Sequence, residues 1–290
     1  MKSEARVIEG GPALRDRLAK RPEAHKYDYG HALVLAGGPG RGGAARLAAR
    51  AALRVGAGLV TVVCPVAALA ENAARLDAVM LRGVADMDDL VEELADPRIT
   101  ALCLGPGLGT GDETLAQVTA CLGAERACVL DADALTAFAD APETLFAQLH
   151  EDCVLTPHGG EFRRLFPDLA AGLEAGAMSK VAATREAAAR AGCTVLFKGA
   201  ETVIAAADGR AWISDARGDR GAPWLATAGS GDVLAGLVAG LLARGLAPHE
   251  AAGTAAWLHV EAARAFGPGL IAEDLPEALP AVFRALGLQG

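Results

Sequence analysis

Aromatic residues are scarce: Phe, Trp and Tyr together make up 4% of the 290 residues. No Lys/Arg-rich stretch occurs, and the net charge is −9. That excludes the basic footprint of a nucleic-acid binder. The longest apolar run near the C-terminus, Val233 to Ala243, is too short to span a bilayer. The opening stretch "MKSEARVIEGGPALRDRLAKR" carries charges throughout and has no apolar core. No signal peptide and no membrane association are therefore expected, and the cytoplasm is the expected location. No G-x-x-x-x-G-K-[ST] is present, which excludes a P-loop. The six cysteines include no C-x-x-C pair. Cys64, Cys103, Cys128, Cys153 and Cys193 sit in or beside strand-like apolar runs, so buried, reduced thiols are expected.

What is abundant is apolar and small. The chain is 52% hydrophobic and has 35 glycines, a composition that fits a packed core and argues against disorder. Short apolar runs alternate with longer Ala/Leu-rich stretches. Strands are predicted over 32–37, 59–64, 99–105, 127–131, 153–156 and 194–199, and helices over stretches such as Ala44–Val55 and Glu174–Ala191. This alternation implies a mostly parallel sheet with helices on both faces. Residues 201–214 differ, because two β-rich runs flank "ADGR", a hairpin signature. Helices over 232–244, 248–266 and roughly 276–286 close the chain. The expectation is a single domain over 1–290: a three-layer α/β sandwich, its central sheet mostly parallel, with an antiparallel edge hairpin.

Six motifs follow a strand or open a helix: "GGPGRGGA", "GPGLG", "LDADAL", "TPHGGE", "KGAET" and "AGSGD". In a parallel sheet such segments gather on one edge, where ligands bind. The first contains a literal G-x-G-x-x-G at Gly38, Gly40 and Gly43, yet the acid that should hold a ribose is missing, because the second strand ends in "VVCPVAA". Gly107 and Gly109 allow close backbone approach to a ligand, or merely a turn. Asp133 reads as a helix N-cap. Asp131, at a strand end, is the better candidate to orient a metal-bound water or a ligand hydroxyl. His158 stands beside two glycines at the cleft edge, and Glu161 suits the positive end of the next helix. Lys198, at the end of an apolar strand, either reaches water or faces a phosphate.

"AGSGD" carries the strongest signal. Capping accounts for Asp232 alone, not for the Gly-Ser-Gly before it. Backbone N–H groups of Gly229, Ser230, Gly231 and Asp232 would stabilise charge on a transferring phosphoryl group. The Asp232 carboxylate is then placed to accept a hydroxyl proton.

"GSGDVLAG" resembles the G-[AT]-G-D signature of the ribokinase-like superfamily, with Ser230 as the middle residue. The further set "LAGGPGRGGAA", "GPGLG", "LDADAL", "TPHGGEFRRLF", "KGAET" and "LATAGSGDVLAG" resembles its ADP-dependent NAD(P)H-hydrate dehydratase branch over about residues 28–286. The resemblance implies phosphorylation of the ring hydroxyl of hydrated NADH or NADPH by ADP with Mg²⁺, then loss of phosphate. It implies Asp232 as catalytic base and contacts from Ala44, Gly107, His158 and Asp232 to the hydrated dinucleotide. Lys198, Gly199, Ala200, Glu201, Thr202 and Gly231 would hold the adenine nucleotide. No metal ligand set is assigned; Asp131 and Glu161 are the candidate carboxylates. A homo-oligomer and a partner NAD(P)H-hydrate epimerase are further implied. The chain departs from the branch at "APWLAT" (222–227), where many members read Asn-Pro-x-Met-Ala-Thr. Three alternatives stay open: a thiazole or pyrimidine alcohol kinase, an NAD-dependent oxidoreductase and a non-catalytic nucleotide sensor.

Overall fold

Strong local β-propensity builds the centre of the molecule. In the computed structural model, which describes residues 4–288, ten strands form one sheet. They are β1 (Arg6–Val7), β2 (His31–Leu35), β3 (Leu59–Pro65), β4 (Met80–Val84), β5 (Ala101–Leu104), β6 (Ala127–Leu130), β7 (Cys153–Leu155), β8 (Thr194–Phe197), β9 (Glu201–Ala205) and β10 (Ala211–Asp215). Their order is β1-β10-β9-β8-β7-β6-β5-β2-β3-β4. Strands β2 to β8 are parallel, and the β9–β10 hairpin is antiparallel. The expected fold class therefore holds. The hairpin is not outermost: short β1 pairs parallel with β10 beyond it. β1 and β4 were not foreseen. β1 has two residues, and β4, "MLRGV", is a half-exposed edge strand with no continuous apolar run.

The chain leaves β2 outward through β3 and β4, then returns to β2's other side with β5. β2 and β5 thus flank the topological switch point, the place where a parallel sheet opens a crevice at its carboxyl edge.

Two cores sandwich the sheet. One face is built of small residues. There the helices Gly42–Arg54 and Ser230–Ala243 pack so closely that a Cβ on Gly236 would lie 2.1 Å from the Ala48 carbonyl oxygen, and one on Gly240 2.6 Å from that of Ala52. Small side chains bring backbones together, so the Ala/Gly richness is a packing requirement. The other face is filled by Leu, Cys and Phe side chains, including Phe162, which stacks on Phe197 at 4.0 Å. All six cysteines are buried and free, as expected. Residues 174–191 are not one helix. The helix Pro167–Glu174 ends before Gly176, which has φ +68°, and Ser179 caps a new helix, Lys180–Ala191. No described helix is long and apolar enough to cross a membrane.

Candidate active site

The loops after β2 and β5 meet at the switch point. A Cβ on Gly37 would sit 1.9 Å from the Gly107 carbonyl oxygen, so the two backbones touch. Gly107 has φ +75°, and a Cβ there would come within 3.7 Å of the Ala44 side chain. Ala44 and Gly107, predicted as dinucleotide contacts, are therefore neighbours. The Gly107–Gly109 loop is tied down from below, because the Gly109 N–H donates to Asp133 Oδ2 at 2.7 Å. This corrects the N-cap expected of Asp133. Ala132 occupies the cap position with φ +47°, and Asp133 is the first helical residue. A cavity of about 620 Å³ opens here beside Gly107, Gly109, Arg41 and Asp133.

A charged cluster sits further along the same edge. Asp131 follows β6 and is buried; its Oδ1 accepts from the Lys198 ammonium at 2.6 Å and from Thr156 Oγ1 at 2.8 Å. Lys198 follows β8, so the ends of two strands that flank β7 deliver the pair. Glu161 Oε2 lies 3.9 Å from the same ammonium. Burial works against the charge on Lys198, but Asp131, Glu161 and Asp232 outweigh it and hold its pKa above the ordinary lysine range. Burial pushes the Glu161 carboxyl up to about 7, with Asp131 adding to the rise and Lys198 opposing it. Asp232 is raised to about 6, again chiefly by burial, with Asp131 contributing.

His158 and Glu161 form a reciprocal cap on the helix Gly159–Leu165. His158 Nδ1 accepts from the Gly160 N–H at 2.9 Å, and the His158 N–H donates to Glu161 Oε2 at 2.8 Å. With Nδ1 committed as acceptor, the proton of a neutral ring belongs on Nε2, 3.3 Å from Glu161 Oε1. Burial, then Lys198, lowers the His158 pKa and favours that neutral form.

The helix Ser230–Ala243 points its N-terminus at this cluster. Gly229 caps it in the left-handed conformation, φ +86°. A Cβ there would strike Leu47 and Ala272 within 3 Å, so glycine is obligatory. Gly231 is different: its Cβ would stand 3.6 Å from Lys198 Nζ and 3.9 Å from Asp131 Oδ2. Among the described residues, the N–H groups of Gly231 and Asp232 have no protein acceptor, while Ser230 N–H reaches Thr227 O at a long 3.4 Å. Unpaired amides at a helix N-terminus make an anion site. The Ser230 hydroxyl takes no part, because it donates to Leu225 O at 2.9 Å.

The segment Lys198–Thr202 borders the cluster. The Lys180 ammonium clamps it, donating to the carbonyls of Lys198 and Glu201, and Thr202 Oγ1 donates to Gly199 O at 2.9 Å. Ala200 O accepts the Ala216 N–H. The Glu201 carboxylate is turned to Arg217. Asp131, Glu161, Lys198, Gly231 and Asp232 thus converge, and Ala44 with Gly107 lie along the same edge. Lys180 and Thr156 escaped sequence reasoning. Nothing marks Lys180, whereas Thr156 had a signal: a hydroxyl directly after an apolar strand. Among the described residues no group of three or more His, Cys, Asp or Glu converges to hold a metal ion.

Residues 32–279 match the family model described as NAD(P)H-hydrate dehydratase. The chain is 39% identical to a bifunctional NAD(P)H-hydrate repair enzyme of Moorella thermoacetica, over 94% of this chain but 53% of that protein. It thus spans about half the length of that relative. It is 36% identical to an ADP-dependent (S)-NAD(P)H-hydrate dehydratase of Neisseria meningitidis, covering 84% of this chain and 80% of that one. Among solved structures, an ADP/ATP-dependent NAD(P)H-hydrate dehydratase of Bacillus subtilis, co-crystallized with ATP/Mg²⁺, superposes with a TM-score of 0.75 at 28% identity, over 94% of this chain and 96% of that one. The family match runs from β2 to the last helix and takes in every motif of the glycine-lined edge, so the chain belongs to the NAD(P)H-hydrate dehydratase family.

Proposed function

We propose that the chain carries out ADP-dependent dehydration of the S-form of hydrated NADH and NADPH. The carrying observation is the mouth of the Ser230–Ala243 helix, where two unpaired N–H groups and a half-buried carboxylate face the half-buried Lys198 paired with buried Asp131. The Asp232 carboxylate takes the proton of the ring hydroxyl, and that oxygen attacks the terminal phosphorus of ADP. The bond to the bridging oxygen breaks and AMP leaves. The N–H groups of Gly231 and Asp232, with Lys198, meet the charge on the transferring phosphoryl group. The ring-nitrogen lone pair then expels phosphate to leave a ring iminium, and loss of a proton from the adjacent ring carbon restores the double bond of NADH or NADPH. Phosphorylation has turned hydroxide, a poor leaving group, into a good one.

Ala44, Gly107 and His158 line the dinucleotide part of the cleft in this reading, and Lys198–Thr202 with Gly229–Gly231 the nucleotide part. Asp131 and Glu161 lie 2.6 and 3.9 Å from the Lys198 ammonium, and Asp232 adds a third acid to its surroundings. That excess of negative charge fits the divalent cation of a nucleotide, which typically takes one or two protein carboxylates beside phosphate and water. Asp131 and Glu161 would hold Mg²⁺, which when bound neutralises charge on the ADP phosphates. The bifunctional relatives fit cooperation with an NAD(P)H-hydrate epimerase, and we place the enzyme in the cytoplasm as a homo-oligomer.

The test mixes the protein with hydrated NADH, ADP and Mg²⁺ and follows the reduced-nicotinamide absorbance together with AMP. NADH and AMP should appear in step, and neither without donor. Turnover without a donor would remove the phosphorylation step. A stable phosphorylated thiazole or pyrimidine alcohol, with no NADH formed, would make the chain a kinase.

A further inference from the structure

The helix Pro248–Phe266 carries a buried histidine that the chemistry above does not use. His259 is 8% exposed, and its Nε2 lies 2.9 Å from the Ser230 carbonyl oxygen. A carbonyl only accepts, so Nε2 must carry the proton. Burial lowers the His259 pKa to about 4, with Lys198 acting in the same direction, so the ring is neutral at physiological pH and has one proton to place.

The position of that bond matters. The Ser230 carbonyl and the Gly231 N–H belong to one peptide unit, which is planar and trans, so the two groups point in opposite directions. A donor that holds the carbonyl fixes where the N–H aims. This peptide needs holding: Gly231 has no Cβ to restrict rotation on one side, and Gly229 precedes Ser230. The carbonyl's second lone pair lets it take His259 beside its helical partner. Donation to the carbonyl also polarises the amide and strengthens its N–H as a donor, the cooperativity of hydrogen-bond chains.

We infer that His259 is a positioning residue: through its hydrogen bond to the Ser230 carbonyl it aims and polarises the Gly231 N–H toward the transferring phosphoryl group. The inference rests on the phosphoryl-transfer reading of this helix mouth. The His259 ring touches neither substrate nor nucleotide in it.

The experiment compares His259→Leu, which removes the donor, with His259→Gln, which keeps a side-chain N–H in the same region. Removing a complete anion-hole donor costs about 10²–10³ in kcat, so misaiming one should cost about 10–100-fold in His259→Leu. KM for hydrated NADH should stay within about twofold, since the interaction grows in the transition state. Trapping of AMP with aluminium fluoride should weaken alongside kcat, whereas ADP affinity changes little. His259→Gln should recover much of both losses. A readout independent of turnover is the amide nitrogen resonance of Gly231. It should move in His259→Leu and return toward wild type in His259→Gln. Wild-type kcat in a folded His259→Leu, or an unmoved Gly231 resonance, would overturn the inference. So would equal losses in both variants that follow their melting temperatures. A wild-type enzyme that fails to convert hydrated NADH would instead overturn the reaction, and the Gly231 resonance would still decide what His259 does to the peptide.

Discussion

Two glycine-rich segments lie on one edge of the sheet and obey different constraints. In the loop pair at the switch point, the protein itself demands glycine. A Cβ on Gly105 would fall 1.7 Å from the Asp131 carbonyl oxygen, and Gly105 has φ +118°. A Cβ on Gly37 would meet the Gly107 carbonyl oxygen at 1.9 Å. At the helix mouth, Gly231 faces charged side chains at ordinary contact distance, 3.6 and 3.9 Å. Nothing in the protein forbids a methyl group there. A glycine no neighbour requires, beside unpaired amides, fits the ligand role proposed for Gly231. Gly37, Gly105 and Gly229 are thus set by packing, whereas Gly231 is free for the chemistry proposed, and only their surroundings separate the two.

The harshest test of this contrast is Gly105→Ala. Left-handed strain and backbone overlap together should cost about 3 kcal/mol or more, read as a large drop in denaturation midpoint with activity lost in proportion. A variant of wild-type stability would break the comparison.

Next is Asp232→Asn at the helix mouth. Asn suits a helix N-terminus about as well as Asp, so the fold should hold while turnover falls about 10²–10⁴-fold. A variant that keeps more than about a tenth of wild-type turnover falls outside the range for general-base assistance and would leave Asp232 a structural acid.

Gly231→Ala sharpens the contrast most directly. Its melting temperature should match or slightly exceed wild type, since Ala favours helix over Gly. Turnover should fall about tenfold or more, because the methyl occupies the space of a phosphoryl oxygen and one lost anion-hole contact is worth at least that much. Loss of stability with unchanged turnover would put Gly231 in the packing class.

The smallest effect is on pH dependence. Burial raises the Asp232 carboxyl to about 6 in the folded protein, from an ordinary value near 3.8. Between those values the folded state binds more protons than the unfolded chain, so this group's contribution to stability falls as pH rises through about 6. Asp232→Asn should therefore melt a few degrees above wild type at pH 8, the gap closing below pH 4. Turnover should fall on the acid side, with a limb near pH 6, as the base becomes protonated. A gap that widens in acid would reverse the assigned cause.

Much of this was legible in the chain. Continuous apolar runs gave seven of the interior features their place: six parallel strands and the hairpin turn at "ADGR". The exposed edge strand Met80–Val84 was not, because it lacks that pattern. The helix break at 175–179 was passed over because an Ala-rich segment reads as helical through a lone glycine. Asp133 looked like a cap from its neighbours in sequence, but a residue 24 positions away, Gly109, claims its carboxylate.

Sequence alone determined which local groups exist: glycines where the backbone must turn left-handed or approach closely, an acid at the start of an apolar helix, and alternating strands and helices that place such groups on one edge. These follow from short-range sterics and period. Tertiary structure decided which of those groups meet. Lys198 and Asp131, 67 residues apart, pair because β6 and β8 end side by side across β7. His259 reaches Ser230 because two helices pack together, and Lys180 reaches two loop carbonyls from the start of another helix. Burial then sets the charge of Glu161 and Asp232, and desolvation depends on everything packed around a carboxyl rather than on its neighbours along the chain.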